Sequence, residues 1–201
     1  MKSFKTQEEL DAYTEYVVGV ASENFKAMGL GPRTREMSLV VPPPTGPWAV
    51  PATAASEGGK LILTGASGTG KTTLLKRILW GLCLRRYKPR GGYIPNVFFN
   101  LKSGDTKPYM DWLTSGDLLV LDDLDKLRGT QFEGQCILNV LNHYDVNRLP
   151  IISTMNIDFP SFRTRMVEGG IPSDYADAII SRLQGNLTTH LMVGEDHRSP
   201  K

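Results

Sequence analysis

The chain has 201 residues, of which 40% are hydrophobic and 22% charged, and its formal net charge is +2. This is the composition of an ordinary globular protein with one well-filled core. The balance of charge neither demands nor excludes nucleic acid. No apolar run approaches the roughly 20 residues that span a bilayer, and the polar, acidic start "MKSFKTQEELDAY" has no signal-peptide pattern, so a cytoplasmic protein with no membrane partner is expected.

From the N-terminus, residues 6 to 28 place Leu10, Tyr13, Val17, Val18, Ala21, Phe25 and Met28 near helical periodicity on one face, a stripe suited to gripping a partner or to packing on the core. Gly31-Pro32 ends that pattern. Five prolines between residues 42 and 51 then make a segment too rigid for helix and too interrupted for a central strand, read as a linker that passes over the site described next.

The run "LILTGASGTGKTTLLKRILW" fits G-x-x-x-x-G-K-[ST] without mismatch, between an apolar strand (Leu61 to Leu63) and a helix (Thr73 to Leu84). Glycines let several backbone N–H groups converge, and the helix N-terminus adds positive potential, so polyphosphate is the natural guest. The cradle is expected to run through Gly65, Ala66, Ser67, Gly68, Thr69, Gly70, Lys71, Thr72 and Thr73. In it Lys71 meets the β- and γ-phosphates of ATP, and the Thr72 hydroxyl ligates the accompanying Mg²⁺. Cys83 in this helix and Cys136 further on sit in apolar patterns and read as core filler. Lys76, Arg77, Arg85, Arg86, Lys88 and Arg90 crowd the same helix and its exit, either complementing the helix dipole or meeting phosphate or an acidic partner.

From Lys60 onward, apolar runs alternate with helical patterns, with strands expected at Leu61 to Thr64, Val97 to Leu101, Leu118 to Leu121, Ile151 to Thr154 and Thr188 to Val193. That alternation predicts an α/β fold with a parallel sheet covered on both faces. Phe132, Cys136, Ile137, Val140, Leu141 and Tyr144 form a helical stripe read as core. In "DLLVLDDLDK" a buried strand ends in Asp122 and Asp123, the Walker B pattern, with Asp122 holding the metal and its water shell and Asp123 orienting the attacking water. The alternative is a solvated turn of three acids, Asp122, Asp123 and Asp125, and it bears mostly on Asp125. Strands of such sheets empty into one crevice at their C-terminal ends, which brings Asp122 beside Lys71 and Thr72. "PIISTMNID" ends the neighbouring strand in Asn156, whose amide suits hydrogen bonds to the γ-phosphate and the attacking water.

The order GASGTGKTT, LLVLDDLDK, PIISTMN and DAIISRLQG, over about residues 57 to 198, resembles the AAA+ ATPases of the DnaC/DnaI helicase-loader and IstB transposition-helper clade. The resemblance implies a P-loop AAA+ core of five parallel strands in the order 5-1-4-3-2 with no helical lid, only 19 residues following Arg182. It makes Asn156 the sensor, makes Arg182 the arginine finger of a neighbouring protomer's site, and matches Arg198 to a family position of no clear role. It divides the chain into an N-terminal helix and Pro-rich linker (1–56) and an ATPase core (57–201). Its partners are a replicative helicase, or a transposase in the IstB case, and single-stranded DNA, on a homo-oligomeric ring or helical filament. Lys102 and Lys107 are then candidate DNA contacts, with Tyr109 and Trp112 available to stack on bases. Asp125 stands where the clade has Gly, and Asp123 where many AAA+ proteins have Glu. Readings left open are a P-loop kinase and an ATP-gated interaction module with little turnover.

Overall fold

The computed structural model describes residues 6–28 and 58–194. The Pro-rich linker and Arg198 lie outside these described residues. Helix α1 (Gln7–Ala27) is followed by β1 (Lys60–Thr64), α2 (Lys71–Leu84), β2 (Pro89–Tyr93), α3 (Ile94–Ser103), α4 (Thr106–Thr114) and β3 (Leu118–Asp122). A 3-10 turn (Leu124–Lys126), α5 (Gln131–Val146), β4 (Ile151–Met155), α6 (Phe159–Glu168), α7 (Ser173–Gln184) and β5 (Leu187–Leu191) complete it.

The five strands form one parallel sheet in the order β2-β3-β4-β1-β5, which is the expected order 5-1-4-3-2 seen from the other edge. Side chains alternate across a strand, and the alternation divides the core in two. Leu61, Leu63, Leu118, Val120 and Ile152 face α1 and α2. Ile62, Leu119, Leu121, Ile151 and Met155 join Ile94, Val140, Phe162 and Ile179 of α3, α5, α6 and α7 on the other face. The helical stripe of α5 is core as read, with Cys136, Ile137, Val140, Leu141 and Tyr144 buried, though Phe132 is exposed. Both cysteines are buried and free.

One expected strand is corrected. Residues 97–101 lie inside α3, and the second strand is the preceding "PRGGY". Ile94, Val97, Phe98 and Leu101 are the buried residues of α3, a spacing of three, four and seven that belongs to a helix. The strand itself carries almost no apolar side chain, because an edge strand can be held by backbone pairing alone, here to β3 from Pro89↔Leu118 through Tyr93↔Asp122. Its Gly92, at φ +136°, leaves room for the carbonyl of Met28, which a Cβ there would meet at 2.0 Å.

That contact is made by the end of α1, which joins the core. Phe25 and Met28 are buried in the cluster of α2, and Phe25 meets the buried Trp80 edge to face with ring centroids 6.3 Å apart. Arg86 hydrogen-bonds the Tyr13 hydroxyl and Arg90 the Asn24 amide, so two of the basic residues after α2 hold α1 in place. Tyr16 and Val20, by contrast, face solvent. Phe25→Ala is therefore expected to lower the free energy of unfolding by about 3 to 5 kcal/mol, read from urea midpoints. An unchanged midpoint would show α1 to be merely appended.

Candidate nucleotide site

The loop between β1 and α2 follows the sharp path that its glycines allow. Gly65 has φ +143°, and a Cβ on it would lie 2.3 Å from the Met192 carbonyl oxygen at the end of β5. Only glycine fits there. The Met192 N–H donates to the Thr64 carbonyl at 2.7 Å, so the last strand braces the loop from behind. Helix α2 begins after Gly70 with no side-chain cap, leaving its first N–H groups directed into the loop's hollow. Lys71, 5% exposed, donates its ammonium to the carbonyls of Gly65 (2.8 Å) and Ala66 (2.6 Å). Thr69 donates its hydroxyl to the Ala66 carbonyl at 2.9 Å, tightening the turn.

The acid at the end of β3 arrives where expected. Thr72 donates its hydroxyl to the Asp122 carboxylate, at 3.1 Å to Oδ1 and 3.3 Å to Oδ2. Thr154, fully buried, donates to Asp122 Oδ1 at 2.8 Å and accepts the Asp123 N–H at 2.7 Å. Sequence reasoning passed over Thr154. Its signal was parity: β3 and β4 are neighbours, and the register Val120↔Ile152 places Asp122 and Thr154 on the same face, the α2 face, two residues on. Asp123 adopts the left-handed conformation, φ 53° and ψ 52°, which turns the chain off the strand.

Burial raises the Asp122 carboxyl above its ordinary range, and the neighbouring Asp123 charge pushes the same way. Hydrogen bonds from Thr154 and Thr72 and the Lys76 charge oppose that rise. Among the described residues no group of three or more His, Cys, Asp or Glu could hold a metal ion unaided. The Thr72 hydroxyl and the Asp122 carboxylate fit instead a hard cation that brings most of its oxygen ligands from phosphate and water, as Mg²⁺ does.

The remaining candidates fall into different places. Asn156 follows β4 at the same end of the sheet, but its amide is engaged by Asp125, which is 2% exposed and so is no solvated turn residue. Arg182 lies on α7, on the sheet face opposite α2, with its guanidinium bonded to the Asn142 side chain and to the Ala178 carbonyl (3.0 Å). Lys102 pairs with the buried Glu133 at 2.8 Å, and Lys107 is exposed at the start of α4. Tyr109 and Trp112 stack on each other with centroids 5.2 Å apart, and the Arg90 guanidinium lies 5.3 Å from the Trp112 ring. Of the two arginines in "FRTR", Arg163 pairs with Asp177 and Arg165 with Asp125.

No family model matches the chain, and no curated protein matches it. Solved structures do. DnaI is 21% identical with a TM-score of 0.62, the match covering 74% of this chain and 87% of that one. The DnaC helicase loader is 16% identical with a TM-score of 0.55, covering 85% and 99%. The replication initiator DnaA bound to AMPPCP and single-stranded DNA is 20% identical with a TM-score of 0.57, covering 73% of this chain but only 46% of that one, so the chain spans less than half of DnaA. The fold is that of a P-loop NTPase. More closely, the chain is similar in fold to DnaI and to the DnaC helicase loader, and its motif order resembles that of the clade which carries their names.

A carboxyl whose folded value is raised stabilises the fold less as pH rises through the window between its unfolded and folded values. In the absence of nucleotide, Asp122→Asn is therefore expected to melt higher than the wild type at pH 7. The gain should shrink as pH falls toward the ordinary carboxylate value, about 3.9, where the wild type is itself protonated. A lower melting temperature for the variant at pH 7 would contradict the buried-charge account.

Proposed function

We propose that the protein is an ATP-dependent, DnaC-like AAA+ loader that assembles on single-stranded DNA and places a replicative helicase during DNA replication. The observation that carries this reading is the meeting of Lys71, Thr72 and Asp122 in one crevice, with Asn156 on the adjoining strand end. In it Lys71 exchanges its loop carbonyls for β- and γ-phosphate oxygens of ATP, with the loop N–H groups from Gly65 to Thr73 around the triphosphate. Thr72 and Asp122 would hold Mg²⁺, which would neutralise charge on the phosphates. Asp123 orients the attacking water. Water oxygen bonds to the γ-phosphorus as the bond to the bridging oxygen breaks, giving ADP, phosphate and a proton.

The division of labour in the chain follows the resemblance: residues 57–201 form the ATPase core, and residues 1–56 an N-terminal helix and linker. The exposed Tyr16 and Val20 of α1 are available to a partner while Phe25 and Met28 anchor it. Among the described residues no helix is long and apolar enough to cross a membrane, in keeping with a cytoplasmic role. For DNA, a groove of about 460 Å³ between α3 and the turn after β3 supports the reading. Lys102, Lys126 and Arg128 line it, and the exposed Phe99 offers a face for a base. Lys107 extends the basic surface along α4.

The site is shared in this reading. Following the resemblance, Arg182 completes the pocket of a neighbouring protomer in a ring or filament; in its own chain it lies on the far face from α2, bonded to Asn142 and Ala178, and leaves those partners to do so. Such arginines are worth roughly 10³ to 10⁵ in rate. Lys71→Ala is expected to lose binding of a fluorescent ATP analogue, and Asp123→Asn to keep binding and lose turnover. Mixing Lys71→Ala with Arg182→Ala, each inactive alone, should restore partial hydrolysis, more so with single-stranded DNA present. Equal nucleotide affinity in Lys71→Ala and wild type would overturn the site, and no recovery on mixing would overturn the sharing.

A further inference from the structure

Asp125 has no part in the roles assigned so far, yet it is the most heavily engaged acid near the crevice. It sits in the 3-10 turn after β3 and is 2% exposed. Its Oδ1 accepts the backbone N–H of Asn156 at 3.1 Å, and both its oxygens accept the Asn156 side-chain NH₂, each at 3.1 Å. Arg165 of α6 donates to the Asp125 carbonyl at 2.7 Å and lies 3.7 Å from its carboxylate, offsetting a buried charge that would otherwise be costly.

An ionised carboxylate only accepts hydrogen bonds, so the edge of the Asn156 amide turned to Asp125 has to be the NH₂ edge. The chemistry of the partner fixes the orientation, and the amide oxygen is the edge turned away. We infer that Asp125 is a positioning residue that fixes the Asn156 amide in one orientation, so that its oxygen receives a hydrogen of the attacking water. The inference rests on the ATP-hydrolysis reading above. It also gives a use to the acid that stands where the resembled clade has Gly. Glycine has no side chain with which to hold the amide, so in this chain the amide is held where the clade's glycine would leave it to turn. The competing account is purely structural: Asp125 caps the N–H of Asn156, the residue after β4, and nothing more.

Turnover, affinity for a fluorescent ATP analogue and the urea midpoint of the full chain separate the two. Asp125→Ala is expected to lower kcat at least about tenfold, within the usual reach of a group that handles the reacting water, while analogue affinity stays within about twofold because Lys71 and the loop N–H groups carry the binding. Asp125→Asn keeps the shape but allows either edge of its amide to face Asn156, so its rate should fall between the two; this variant also serves if the alanine form does not fold. In the Asn156→Ala background, Asp125→Ala should add almost no further loss, because both act through one group. A wild-type rate in either Asp125 variant, a faster one, or losses that multiply in the double variant would overturn the inference. Absence of Lys71-dependent hydrolysis in the wild type is a separate outcome, which would remove the ATPase reading and this inference with it.

Discussion

A single buried carboxylate, Asp122, holds the site together and constrains the fold around it. It is 4% exposed and sits beside a second acid, an arrangement that burial makes unfavourable. The hydroxyls of Thr72 and Thr154 offset that cost from two directions. The constraint is topological as well as chemical. Strand β4 lies between β1 and β3, so the first turn of α2 has to reach across β4 to touch the end of β3. The residue it crosses is Thr154, which ties Asp122 to the backbone of Asp123 and so fixes the sharp exit of the chain from the strand. The hydrogen bonds hold three elements, α2, β3 and β4, in one register at the mouth of the crevice.

The rest of the molecule can be seen as what keeps that register. Both faces of the sheet are covered, which lets the acid stay dry. The clusters around Leu75 and Trp80 on one side and Val140 and Ile179 on the other share no strand position, because the central strands β1, β3 and β4 send alternate residues to each. Helix α1 contributes to this, closing the α2 side with Phe25 and Met28. The last strand serves the loop more than the core: β5 is the half-exposed edge, and its end meets Gly65 from behind.

Where local chemistry is dense, the sequence was enough. Gly65 to Thr72, the apolar run ending at Asp122 and the strand ending before Asn156 each announce their element and place, and the strand order followed from the family they resemble. Where structure is held by backbone or by distant pairs, it was not. The "PRGGY" strand carries no apolar run to reveal it, and the apolar residues of α3 beside it form a short cluster that alternation alone mistakes for a strand. Asp125 looked like a turn residue because its partners, Asn156 and Arg165, are 31 and 40 residues away. The resemblance singles out Arg182 and Lys102, while their contacts to Asn142 and Glu133 depend on how helices pack.

The central claim is that the Thr72–Asp122 contact marks the place a metal-bound triphosphate takes. A crystal structure of the protein grown with Mg²⁺ and a non-hydrolysable ATP analogue tests it most directly. The account predicts the triphosphate within the Gly65–Thr72 loop, Lys71 turned from the loop carbonyls to phosphate oxygen, and the ion between Thr72 Oγ1 and the Asp122 carboxylate in place of their hydrogen bond. Nucleotide bound elsewhere, or bound in the loop with the Thr72–Asp122 hydrogen bond intact and no ion between them, would contradict it.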